Sequence, residues 1–170
     1  TGWSVLVLAQ LQNAADVLMI RPLQFAGNPQ TADSNRFQQS APHLSAAQVQ
    51  AAAAHEFEAL ADALRAAGVN VHAFDDTPQP HTPDSIFPNN WISFHADGTV
   101  VLYPMLAENR RQERRTDLLE TISSRLGFRI ARVLDLTHHE GGGKFLEGTG
   151  SLVLDRTHRV AYACVSPRTD

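Results

Sequence analysis

The chain has 170 residues, with 14 Lys and Arg against 18 Asp and Glu and a formal net charge of −4. Hydrophobic residues make up 43% and charged residues 19%, which suits a packed core and excludes wholesale disorder. The mild acidity argues against a duplex nucleic-acid binder, and one cysteine excludes an internal disulfide framework or a multi-cysteine zinc site.

The first apolar run, Val5 to Ala9, is far short of the ~20 residues that a membrane span needs. No Lys or Arg precedes it, so it is also a poor signal peptide. The expectation is a cytoplasmic protein with no membrane partner. A strand is expected at Val17–Ile20, then a long polar loop over residues 26–39.

A helix is expected from Ser45 to Ala67. Ser45 and Gln48 form the S-x-x-Q capping box, and Val49, Ala53, Phe57, Leu60 and Leu64 make one apolar stripe. Gly68 stops it and an alternating strand follows to Asp76. A hairpin is expected over Trp91–Tyr103, turning at Asp97-Gly98. A second helix is expected from Asn109 to Leu126, with the stripe Leu118, Leu119, Ile122 and Leu126, ended by Gly127. Another strand to Asp135 follows, and a second hairpin over Ser151–Ala163 turns near Arg156–His158.

The order hairpin, helix, glycine, strand recurs with a period of ~60 residues, as Gly68 against Gly127 and Thr99 against Arg159 show. Three units are expected, over about 14–77, 84–136 and 145–170, the last with only its hairpin. This pattern reads as the N-terminal part of a longer repeat protein. A complete small α/β domain with a frayed tail is the alternative. Self-association through the uncovered hairpin is a further expectation.

Two segments break their local rules. Pro88, Asn89 and Asn90 interrupt an apolar segment after a proline-rich loop ending at Asp84. Asn side chains suit a polar ligand, and an Asx-turn without ligand is the other reading. Glu147 stands among glycines at a strand entrance, where a carboxylate can hold a guanidinium; a solvated turn residue is the other reading. The run Arg110-Arg111-Gln112-Glu113-Arg114-Arg115 can bind a carboxylate or form a solvated face with Glu113 pairing locally. His138, His139 and Glu140 lack a third ligand at sensible spacing, so no metal is expected. Cys164 has no basic neighbour in sequence and reads as a buried, inert strand residue.

Pro83 to Asn90, then Asn109-Arg110-Arg111-Gln112-Glu113, then Phe145-Leu146-Glu147-Gly148-Thr149-Gly150 resemble, in order and spacing, the guanidino-group-modifying (pentein) superfamily. Met19-Ile20-Arg21-Pro22, Tyr103-Pro104-Met105 and Ser166-Pro167-Arg168-Thr169-Asp170 share the likeness, which is nearest to amidinotransferase-like proteins of the citrulline-utilisation hydrolase type. It spans residues 14–170; residues 1–13 stand outside it. The resemblance implies an α/β propeller of five ββαβ modules, of which about two and a half fall here. It also implies an arginine-like small-molecule substrate and no cofactor. Asp84 and Asn90, with Asn89 beside them, would then hold the substrate's polar and guanidinium groups. Glu147 would bind the guanidinium and support a catalytic histidine, and Arg110 or Arg111 would take a substrate carboxylate. Asn90 departs from the carboxylate that several relatives carry there. The family's cysteine nucleophile and histidine base lie in later modules, so this chain alone is expected to be inactive. The parent would be a hydrolase or amidinotransferase; a non-catalytic binding module for guanidino compounds is the alternative.

Overall fold

The structure, a computed structural model, describes residues 12–32, 35, 38 and 43–170. The Val5–Ala9 run, most of the N-terminal extension and part of the 26–39 loop lie outside the described residues.

The first unit is a strand–helix–strand crossover. Strand β1 (Asp16–Arg21) pairs in parallel with β2 (Asn70–Asp75) across helix α1 (Ala46–Ala66). Both halves of the expected capping box form at Ser45: its hydroxyl accepts from Gln48 N–H, and the Gln48 side chain accepts from Ser45 N–H. Gly68 leaves the helix at φ +85°, a conformation other residues adopt only under strain. One stripe residue is corrected. Leu60 is 55% exposed, because the helix turns Phe57 and Ala61 to the interior and Leu60 falls past the edge of that face.

The second unit builds a three-stranded sheet in the order β3 (Ile92–Phe94), β4 (Thr99–Leu102), β5 (Arg132–Asp135). The β3–β4 hairpin turns at Asp97-Gly98 as expected, and β5 returns parallel to β4. Gly98 has φ +83°, and a Cβ there would lie 2.5 Å from the Arg129 carbonyl oxygen, so the turn demands glycine. The expected second helix is corrected: it is two helices, α2 (Glu108–Arg111) and α3 (Leu118–Leu126). Residues 112–117 are all polar, and three of their side chains reach different partners. Glu113 turns inward to Arg110, Arg114 reaches Glu140 and the Tyr103 carbonyl, and Arg115 reaches Asp117 and the Asp75 carbonyl. A continuous helix offers no apolar contact there to outweigh these bonds.

The third unit is the hairpin β6 (Leu152–Asp155) and β7 (Val160–Ala163), preceded by a one-turn helix α4 (Gly148–Ser151) rather than by a strand directly. Apolar side chains of this unit face solvent, Val153 at 69% and Tyr162 at 59% exposure. Cys164 lies just past β7 and is exposed, which corrects its expected burial.

The core lies under the second sheet. Trp91, Ile92, Val100, Leu102 and Met105 form one cluster; Ile20, Leu118 and Ile122 form another. Leu18, Phe94 and Phe128 touch both, and the Phe94 and Phe128 rings meet edge to face at 5.3 Å. Burial of such side chains contributes ~1.5–3 kcal/mol each, and here it fixes the floor on which the polar segments described next converge. Among the described residues, no helix is long and apolar enough to cross a membrane.

Candidate functional site

Three chain segments meet at one buried polar cluster. The first is a run of turns. Ser85 N–H bonds to the Thr82 carbonyl, Phe87 N–H to Asp84, Asn90 N–H to Phe87 and Trp91 N–H to Pro88. Residues Pro88–Asn90 form a 3₁₀ turn with proline at its first position, where the missing N–H costs nothing. These turns bury Asp84 and Asn90 and leave the Asn89 side chain exposed.

The second segment carries Glu147, which is 1% exposed. Its Oε1 accepts from Leu106 N–H at 3.2 Å, and its Oε2 accepts from Asn90 Nδ2 at 3.4 Å and from Arg168 Nη1 at 3.3 Å. The adjoining glycines are required by proximity. A Cβ on Gly148 (φ +36°) would lie 2.2 Å from the Asn89 carbonyl oxygen, and one on Gly150 2.8 Å from the Asn90 amide.

The third segment is α2. Arg110 is 3% exposed and binds the Glu113 carboxylate with two groups, Nε to Oε1 at 3.0 Å and Nη2 to Oε2 at 3.0 Å. Its Nε lies 3.6 Å from Asp84 Oδ2, and its Nη1 3.8 Å from Glu147 Oε2. Arg110 is thus central to three carboxylates. Burial works against its charge, but the Glu113 bonds and the charges of Glu113, Asp84 and Glu147 outweigh that and raise its pKa. Burial pushes the Glu113 carboxyl up to about 7, against the pull of Arg110. Arg111 points elsewhere: it donates to the Met105 and Leu106 carbonyls, and its guanidinium lies over the Phe145 ring.

So Asp84, Asn90, Arg110 and Glu147 come together, Asn89 offers its carbonyl to the Gly148 turn, and Arg111 braces the strand exit. Three further residues of the cluster had no role assigned from the sequence. Asn28 is fully buried and donates to Asp84 Oδ2 at 2.7 Å, while exchanging amide bonds with Asn109. No local pattern marks it, since its partners are distant in sequence. Glu113 belonged to a charge run whose plainer reading was a solvated face with Glu113 pairing locally. Arg168 sat in a shared motif, and its Ser166–Thr169 turn packs on the Glu147 turn through Glu147 N–H to the Arg168 carbonyl. Cys164 is not in the cluster: it is exposed, and its Sγ contacts the Val165 carbonyl.

A buried cluster of carboxylates and amides is suited to a planar cation with several N–H donors. The chain belongs to the guanidino-group-modifying (pentein) superfamily. Within it, the chain belongs to the N,N dimethylarginine dimethylhydrolase family, whose eukaryotic family model matches residues 21–170. Among solved structures, the N-terminal domain of ArgZ bound to substrate, an arginine dihydrolase of cyanobacteria, is 20% identical with a TM-score of 0.61. The match covers 91% of this chain and 50% of that one. A dimethylarginine dimethylaminohydrolase bearing a 4-chloro-2-hydroxymethylpyridine adduct is 17% identical with a TM-score of 0.58, over 91% and 50% of the two chains. Unliganded AgrE is 21% identical with a TM-score of 0.56, over 87% and 19%. At these identities the likeness is one of fold, and the chain spans half or less of each of these structures. No curated protein sequence matches the chain.

Proposed function

We propose that this chain supplies the guanidinium-holding part of an enzyme that hydrolyses the guanidino or ureido C–N bond of an arginine-like substrate. The observation that carries this reading is Glu147. It is buried, it is shared by Asn90 and Arg168, and it lies across from Asp84 beyond Arg110. Asp84 and Glu147 hold the guanidinium through charge-assisted hydrogen bonds, with Asn90 completing the ring and Asn89 shaping its floor. The same reading makes the three sheets successive modules of a five-module propeller.

In this reading a cysteine thiolate outside residues 1–170 adds to the guanidino carbon, forming a C–S bond. A histidine, also outside, gives a proton to the departing amine as the C–N bond breaks. Water then cleaves the C–S bond and restores the thiol. The role of this chain is to fix the substrate carbon in line with the nucleophile and to keep the guanidinium charged. Cys164 takes no part. The reading predicts that this chain alone binds without turnover.

Calorimetry with L-arginine on the chain tests the assignment. Binding is expected, and Asn90→Ala and Glu147→Ala each weaken it by about tenfold or more, the effect of losing a hydrogen bond to a charged group. Unchanged affinity in both variants removes the site. The alternative is a non-catalytic binder of guanidino compounds. Release of ammonia or amine from arginine analogues by the natural protein separates the two. The exposed Val153 and Tyr162 side chains also fit self-association of the chain, which concentration-dependent sedimentation reads out.

A further inference from the structure

Arg110 poses a problem for a guanidinium site. A resident guanidinium within 4 Å of Asp84 and Glu147 competes with the substrate for the same carboxylates. The geometry shows how the competition is limited. Arg110 spends its Nε and Nη2 donors on Glu113 at 3.0 Å each, while Asp84 at 3.6 Å and Glu147 at 3.8 Å lie beyond hydrogen-bond reach. The Glu113 side chain is fully buried, with both oxygens on Arg110, so it does not itself meet a ligand.

We propose that Glu113 is a positioning residue that acts through Arg110: ionised, it anchors and neutralises the Arg110 guanidinium, and so leaves Asp84 and Glu147 for the guanidinium of the substrate. Protonated, it accepts only weakly, and Arg110 turns its charge on Asp84 and Glu147 instead. The inference rests on the guanidinium-holding role proposed above. The charged groups facing Glu113 are Arg110 on its own segment, Asp84 before the 3₁₀ turn and Glu147 before α4, with Arg168 behind Glu147. Three carboxylates therefore face two resident guanidiniums, and a third cation is welcome only when all three carboxylates are ionised. Burial places the ionisation of Glu113 near neutrality, at about 7.

The test is L-arginine affinity against pH, by calorimetry, for the unaltered chain, Glu113→Gln and Glu113→Asp. The unaltered chain is expected to bind about tenfold more tightly near pH 8 than near pH 6, with one proton released per ligand bound at the lower pH. Glu113→Gln is expected to bind about tenfold more weakly at the higher pH and to lose the pH dependence; Glu113→Asp restores both in part. Titration of the ¹³C-labelled Glu carboxyl signals in the unaltered chain needs no variant. One signal is expected to titrate near neutrality and to shift to lower pH on adding arginine. Binding that is flat with pH, or equal in Glu113→Gln, overturns the inference while leaving the guanidinium site standing. No arginine binding by the unaltered chain at any pH overturns the guanidinium reading itself.

Discussion

The Asn90 amide donates to Glu147 Oε2 at 3.4 Å, joining segments 57 residues apart and closing one wall of the buried cluster. The amide donates to Glu147 without adding charge. Asn90→Asp removes that donor and sets a second carboxylate against Glu147. The free chain is expected to lose ~1–3 kcal/mol at neutral pH, from like-charge repulsion and a lost bond. L-Arginine should recover much of it, since a guanidinium seated between two carboxylates pairs with both. Urea unfolding with and without arginine checks this. Equal stability in both states would mean that position 90 does not face the ligand.

Gly148 and Gly150 allow the Glu147 turn to lie on the Asn89–Asn90 backbone. Gly148→Ala places a methyl 2.2 Å from the Asn89 carbonyl oxygen at φ +36°, and Gly150→Ala places one 2.8 Å from the Asn90 side chain. Gly148→Ala is expected to cost ~2–4 kcal/mol, because backbone must move and the dihedral is strained. Gly150→Ala should cost less stability and more affinity, since its methyl meets the Asn90 side chain that bonds Glu147 and not backbone. Thermal melts and arginine titrations of the two variants distinguish a backbone conflict from a side-chain one.

These contacts explain what could be read from the sequence. Elements set by neighbours in sequence were legible: the Ser45–Gln48 capping box, the Asp97-Gly98 hairpin, and the break at Pro88–Asn90 all depend on a few adjacent residues. Glu147 was legible because glycines crowd it. Arg110 was named, but its burial was not visible, since a charge run looks the same whether it faces water or carboxylates brought in from Asp84 and Glu147. The same blindness joined α2 to α3: apolar spacing continues past Asp117, and nothing local shows Glu113 turning inward. Asn28 left no signal at all, because its partners Asp84 and Asn109 are met only in the folded chain.

Glu113 also gives stability a defined pH dependence. Its carboxyl is raised in the folded chain from 4.5 to about 7, so the folded state holds the proton more tightly than the unfolded state. The stability this confers is complete below pH 4.5 and is lost as pH rises through about 7. Glu113→Gln is neutral at every pH and removes that slope. The stability of the unaltered chain relative to Glu113→Gln is therefore expected to fall across this interval. Parallel urea unfolding curves at several pH values check the sign. A relative stability that rises with pH would mean that Arg110, not burial, dominates Glu113.

On the arginine-like reading proposed above, Arg168 is a candidate for the substrate carboxylate beside Arg110 and Arg111, which the family resemblance implies. Arg110 is 3% exposed and committed to Glu113, and Arg111 has two donors on main-chain carbonyls. Arg168 keeps 26% of its side chain exposed and donates Nη1 to Glu147 Oε2 at 3.3 Å, so it is less committed than either. L-Arginine and its decarboxylated analogue agmatine separate the cases. Arg168→Ala is expected to weaken L-arginine binding by about tenfold or more and to leave agmatine binding nearly unchanged. Arg111→Ala should weaken both ligands equally, through the loosened Met105–Leu106 backbone that carries the Leu106 N–H on Glu147. Arg110→Ala leaves the buried Glu113 carboxyl without its partner and removes the cation beside Asp84 and Glu147, and is expected to cost ~3–5 kcal/mol of stability before any ligand is added. If agmatine and L-arginine lose affinity alike in Arg168→Ala, Arg168 serves Glu147 alone and the carboxylate is held elsewhere.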